Sequence, residues 1–389
     1  MHHLTPRTLL VTGSGLLALA SLSACVIETE DDGSSEDIGT ETETDTTSEE
    51  TETETETETE TETETETETE TETSSETDTG GVETARLLVG NTRADNVLSI
   101  DPATGEVLGE LIPSGEGGLF HPDALRVHEG QLLVSSGDSP EDSAILAFDL
   151  DGSFAGVFAE GGGMHRPYGF AIAPDGDLYV ASFLSDELLR YDGTSGEFIE
   201  VFAAGDAMPG GLNGPNDLAV GPDGALYVST QGSVAVDGEP TYPGLPSEVL
   251  RVDLESAETS VFLEQPTPLP DSLGFVSMLG VAWELDCEDD CAVFTTDFAG
   301  GLRRYDQSGE LEWESSTTHA MGAATGSLSL GSDGEVFIPG FIDEMTPGVV
   351  MRFDAESGDP SPGRGLEGAL FTGPDEGLVR PIGVLYLPE

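Results

Sequence analysis

The stretch Asn213 to Gly232, reading NGPNDLAVGPDGALYVSTQG, limits this chain more than any other. It holds an apolar alternation (Leu218, Val220), a Pro-Asp-Gly turn (Pro222, Asp223, Gly224) and a second alternation (Leu226, Val228). Alternation of period two on both sides of a tight turn describes two antiparallel strands. The same hairpin returns along the chain, and recurrence at a fixed period indicates an architecture of repeated units.

Six inner strands carry the pattern: Pro122 to Val127, Pro167 to Ile172, Pro215 to Val220, Leu279 to Trp283, Gly326 to Leu330 and Pro381 to Tyr386. Each of the first five is followed by a second strand, then by a third that ends in aspartate (Asp149, Asp192, Asp253, Asp306, Asp354). A fourth follows, as in Phe198 to Phe202. The last inner strand has no partners after it. The first folded residues supply them: Leu87 to Gly90, Val97 to Asp101 and Glu106 to Ile112 read as a second, third and fourth strand. The expectation is an all-β, six-bladed β-propeller with four antiparallel strands per blade, its ring closed by the two ends of the folded region. Two irregular stretches, Gln265 to Val276 and Asp359 to Leu378, leave seven blades open.

Ahead of this domain, residues 1–24 combine His2, His3 and Arg7 with an apolar run, which is the layout of an export signal. Leu22-Ser23-Ala24-Cys25 resembles a bacterial lipobox, which implies lipidation of Cys25 and membrane attachment through that anchor. Val26 after the cysteine resembles the sorting signal for the outer membrane. Residues 26–84 hold 25 acidic residues and no basic one, around a Thr-Glu repeat. Nothing there can be buried, so residues 25–84 read as a disordered, self-repelling acidic linker. The folded domain is then residues 85–389. It contains no lysine and has 52 acids against 11 arginines. Such a surface repels phosphate backbones, which excludes nucleic acid as a partner.

The inner-strand openings Phe120-His-Pro-Asp-Ala-Leu, His165-Arg-Pro-Tyr-Gly-Phe and Val379-Arg-Pro-Ile-Gly-Val resemble NHL repeats. More widely, residues 85–389 resemble the NHL-repeat and SMP-30/gluconolactonase/LRE-like six-bladed propellers. Gly214-Pro-Asn-Asp-Leu is similar to a segment of gluconolactonases in which the asparagine faces the central channel and binds calcium or substrate. That resemblance implies a metal position at Asn216, with Asp217 behind it. The positions equivalent to Asn216 are Asp123, Tyr168, Leu279, Gly326 and Ile382, so Asp123 is the clear second ligand for a hard cation. Strand-entry turns whose side chains satisfy backbone amides explain Asn216 and Asp217 equally well.

His121, His165 and His319 fall in connections leading into inner strands, which places them on one face around the channel. Arg166 and Arg380 precede the prolines of two blades, and Tyr168 follows one of them. Together these six residues are the candidate ligand-binding face. Cys287 and Cys291 lie at the two ends of a hairpin turn; in an oxidising compartment, with Cys25 lipidated, they are expected to form a disulfide. No phosphate-binding glycine loop and no Gly-x-Ser-x-Gly elbow is present. Two functions follow. One is a monomeric, non-enzymatic module that binds a protein, glycan or small ligand at the cell envelope. The other is a calcium-dependent lactonase.

Overall fold

The computed structural model describes residues 85–285, 287–318, 324–341 and 347–389. The export signal, Cys25, the acidic linker and His319 lie outside the described residues.

Strand pairing yields six antiparallel blades, each running from the channel outward. Blade 1 is Leu125–His128, Gln131–Ser136, Ala144–Asp149 and Phe154–Glu160. Blade 2 is Pro167–Ile172, Leu178–Ser182, Glu187–Tyr191 and Phe198–Ala204. Blade 3 is Pro215–Val220, Leu226–Thr230, Val249–Val252 and Thr259–Leu263. Blade 4 is Met278–Trp283, Val293–Asp297, Gly301–Tyr305 and Leu311–Ser316. Blade 5 starts with two short pieces, Ala324–Thr325 and Ser329–Leu330, and continues through Glu335–Phe341, Val349–Asp354 and Leu370–Thr372. Blade 6 joins the ends of the domain: Pro381–Leu387 pairs with Arg86–Asn91, followed by Asn96–Ile100 and Val107–Ile112. The six-bladed propeller and its closure are as the sequence predicts.

Two local departures have physical causes. Blade 1 becomes regular only at Leu125, because the Ala124 N–H is taken by the Ser135 hydroxyl. In blade 5 the continuous strand expected from Gly326 to Leu330 is interrupted. The Ser327 N–H donates to the Ile382 carbonyl of blade 6, pulling the chain sideways. The stretch 265–277 adds no strand and hence no seventh blade. The fully buried guanidinium of Arg303 ties it down, pairing with Asp297 and donating to the Thr267 carbonyl at 3.1 Å.

The core is divided among the spaces between blades. Leu133, Ile145, Phe170, Val180 and Tyr191 fill the space between blades 1 and 2. Leu87, Phe337, Phe371 and Val384 fill the one between blades 5 and 6. Each blade thus buries both its faces, which is why second strands such as Leu178–Ser182 are buried at every residue. Inner strands approach closely around the channel. A Cβ on Gly169 would meet the Asn216 carbonyl at 2.7 Å, and one on Gly326 would overlap that of Ile382. Hydroxyls at the ends of second strands bridge neighbouring blades: Ser229 donates to Leu279 O at 2.5 Å and Thr296 to Gly326 O at 2.8 Å.

Candidate functional site

In blades 1, 2, 3 and 6 a proline leads the chain into the inner strand, at its first residue in blades 2, 3 and 6 and three residues ahead of it in blade 1, and the residue before that proline is left-handed in each. Blade 3 uses glycine there, Gly214 at φ 64°. Blades 1, 2 and 6 use His121 at φ 53°, Arg166 at φ 52° and Arg380 at φ 46°. A side chain costs about 1–3 kcal/mol in this conformation. The strain sets three polar side chains at one mouth of the channel.

A polar network runs between them. Arg93, in the loop after Arg86–Asn91, donates from Nη1 to His121 Nε2 at 2.7 Å. His121 Nδ1 faces Asp138 Oδ2 at 3.8 Å, and the other oxygen of Asp138 accepts from Arg166 Nη1. Arg166 Nε lies 3.9 Å from Asp123 Oδ2, while Asp123 Oδ1 accepts from the Thr92 hydroxyl at 2.9 Å. Thr92 adjoins Arg93, so the chain of contacts closes on itself across blades 6, 1 and 2. Arg166 also lies over the ring of Tyr168, 5.0 Å from its centroid, and Tyr168 packs against Phe183. The guanidinium of Arg380 lies 5.5 Å over the ring of Phe341.

Burial governs the charge states here. Asp123 is 1% exposed, and desolvation raises its pKa against the pull of Arg166 and the Thr92 hydrogen bond. Burial lowers the pKa of His121, helped by Arg93 and Arg166 and opposed by Asp138 and Asp95. Tyr168 is raised by burial.

The sequence-predicted residues separate into two groups. His121, Asp123, Arg166, Tyr168 and Arg380 come together. His165 sits toward the insertion between residues 231 and 247, where its ring packs against Gly238 beside the hairpin Val234–Val236 with Glu239–Thr241. Asn216 and Asp217 are buried in the next blade. Asp217 accepts from Arg126 Nη2 at 3.0 Å and from its neighbour's amide, Leu218 N, at 2.9 Å, with its pKa raised by burial and held back by Arg126. Sequence reasoning missed Thr92, Arg93, Arg126 and Asp138. The one available signal was scarcity: with 11 arginines in a domain of 52 acids, each deserved a search for its carboxylate.

Calcium does not fit these carboxylates as placed. Asp123 has a guanidinium beside it and Asp217 is bonded to another, and positive neighbours oppose a dication. Among the described residues no group of three or more His, Cys, Asp or Glu side chains is arranged to hold a metal ion.

The predicted disulfide is present: Cys287 and Cys291 are bonded, with Cα atoms 5.5 Å apart, at the turn between Met278–Trp283 and Val293–Asp297.

No family model and no curated protein matches the chain. Solved structures do. A nidogen/laminin complex aligns with a TM-score of 0.52 and 10% identity over 78% of this chain and 98% of that chain. A virginiamycin B lyase from Staphylococcus aureus aligns at 0.44 and 15%, over 69% and 77%. A gluconolactonase from Xanthomonas campestris aligns at 0.44 and 17%, over 72% and 86%. The likeness is one of fold. Such folds carry unrelated activities, so function must be argued from the site.

Proposed function

We propose that this protein is a non-enzymatic binding module of the cell envelope. Cys25 carries the lipid anchor, the acidic segment spaces the propeller from the outer membrane, and the mouth framed by His121, Arg166 and Arg380 receives a protein, glycan or small ligand. One observation carries the reading. The turn geometry before the inner-strand proline is met at lower energy by glycine, as Gly214 shows, yet three blades hold a large polar residue there. Strain that the fold itself does not need supports a role at the mouth.

The alternative, a calcium-dependent lactonase resting on Asp123, Asn216 and Asp217, is weakened by the guanidinium groups beside both carboxylates. The test pairs two assays on the full chain. Glycan and peptide arrays are expected to yield a ligand whose binding is lost in Arg166→Gly and Arg380→Gly at a temperature where thermal melting shows both variants still folded. Calcium-dependent lactone hydrolysis abolished by Asn216→Ala would overturn the proposal, as would glycine variants that bind like the parent.

A further inference from the structure

The insertion between residues 231 and 247 stands beside the mouth. Its hairpin pairs Val234–Val236 with Glu239–Thr241, three residues to a strand, and forms a sheet of its own. Two short strands without a third are marginal in water. The hairpin nevertheless covers part of the mouth. Gly238 at its turn lies on the ring of His165, and Tyr242 just beyond it lies in the field of Arg166. Val234–Val236 packs on the turn Phe183–Ser185, whose Phe183 supports the ring of Tyr168.

One carboxylate fastens the hairpin there, and the sister blades show that this fastening is an addition to the common pattern. In three blades the residue before the proline leading into the inner strand has its amide capped by a side chain from the preceding blade. Asp95 accepts from His121 N at 2.9 Å, Ser143 from Arg166 N at 3.0 Å and Asp186 from Gly214 N at 2.8 Å. Each cap uses one oxygen. Asp186 turns its second oxygen to the insertion, where it accepts from Ala235 N at 2.6 Å. Among the described residues this is the one hydrogen bond between the hairpin, residues 234–241, and the rest of the domain. A segment held by so few bonds opens at a free energy well below that of the whole domain.

We propose that the hairpin 234–241 is a lid on the mouth, with Asp186 as its latch. When the bond to Ala235 parts, the hairpin swings off His165 and opens the mouth from the side of blade 3. The bond from Gly214 to Asp186 remains, so the inner strand keeps its cap. That the opened mouth admits a ligand rests on the binding role proposed above; the motion itself does not.

The test uses the full chain without ligand. Amide exchange at neutral pH reads the hairpin through Ala235 and the core through Val228. Labelling by diethyl pyrocarbonate, mapped by mass spectrometry, reads His165 under the lid and His128 at the other end of the channel. Ala235 is expected to be protected roughly a hundredfold less than Val228. Asp186→Asn leaves one acceptor for two amides and suits the left-handed backbone at φ 53°. It should lower the protection of Ala235 roughly tenfold and speed the labelling of His165 in step, with His128 unchanged. Gly238→Ala is the second variant. Its Cβ would stand 2.8 Å from His165 Cε1 on a backbone at φ 80°, so it lifts the tip of the hairpin with the latch residue intact and should also speed His165 labelling. Ala235 protected as well as Val228 would mean that the hairpin opens only with the whole domain. His165 labelling unchanged in both variants would mean that the hairpin covers nothing. Either result overturns the lid. A silent glycan or peptide array bears on the binding role alone, because no ligand enters these measurements.

Discussion

Arg93 Nη1 lies 2.7 Å from His121 Nε2. A guanidinium has donors and no acceptor, so the imidazole nitrogen must accept, and His121 is neutral with its proton on Nδ1, toward Asp138. The bond ties the loop of blade 6 to the entry of blade 1, beside the seam where the two ends of the domain meet.

The first prediction concerns pH. Burial and two arginines depress the folded pKa of His121 below its ordinary value of 6.5. The neutral ring is therefore favoured by folding. Its stabilisation is fully present above pH 6.5 and is lost as pH falls below that value through the depressed folded pKa. The buried carboxylates Asp123 and Asp217 act in the opposite sense, since their raised pKa values favour the folded state in acid. Comparison with His121→Gln isolates the histidine. In urea unfolding at pH 7.5 and pH 5, the parent should lose on the order of 1 kcal/mol more than the variant. Equal losses would show that His121 titrates normally.

How much of this was legible beforehand depends on whether the signal repeats. The blades were readable because each is written six times, and the closing strand was readable because Pro381–Leu387 lacked partners that Arg86–Asn91 could supply. The disulfide followed from counting thiols. The mouth was half legible: position before proline marked His121, Arg166 and Arg380, but nothing local pairs Arg93 with His121 or Arg126 with Asp217. The second pair joins residues 91 positions apart, in blades 1 and 3. Asp217 illustrates the limit. Its segment matches a metal-site motif, while its role in this fold is set by an arginine two blades away.

Gly169 is predicted to be irreplaceable for a steric reason alone. A Cβ there would stand 2.7 Å from both the Asn216 carbonyl and the Asp217 Cα, and backbone cannot yield as a flexible side chain does. Gly169→Ala should cost about 2–3 kcal/mol by overpacking. Denaturant titration gives the cost. A near-neutral result would mean that blades 2 and 3 can separate without penalty.

Removing the disulfide is expected to have a modest effect. Cys287 and Cys291 close a loop of five residues, and a loop that short constrains the unfolded chain little. The double variant Cys287→Ser, Cys291→Ser should lose about 2 kcal/mol by the chain-entropy estimate. Adding reductant to the parent should lower its melting temperature by the same amount as the double substitution. A larger fall in the double variant would locate the effect in the packing of the buried Cys291.

The ion pair of Arg126 with Asp217 allows a sharper test, because its two halves differ in burial. Asp217 is 4% exposed and Arg126 is 28% exposed, so the carboxylate suffers more when the pair is broken. Arg126→Met leaves a buried charge with only backbone donors, among them Leu218 N, and should cost about 3 kcal/mol. Asp217→Asn leaves the cation able to reach water and should cost about 1 kcal/mol. Combining them removes the uncompensated charge, so the double variant should be more stable than Arg126→Met alone. A thermodynamic cycle from urea unfolding of the four proteins measures the coupling. The order of stability predicted is parent, Asp217→Asn, double variant, Arg126→Met. Strict additivity would mean that Asp217 is already protonated in the folded state at neutral pH. Its raised pKa would then outweigh the attraction of Arg126.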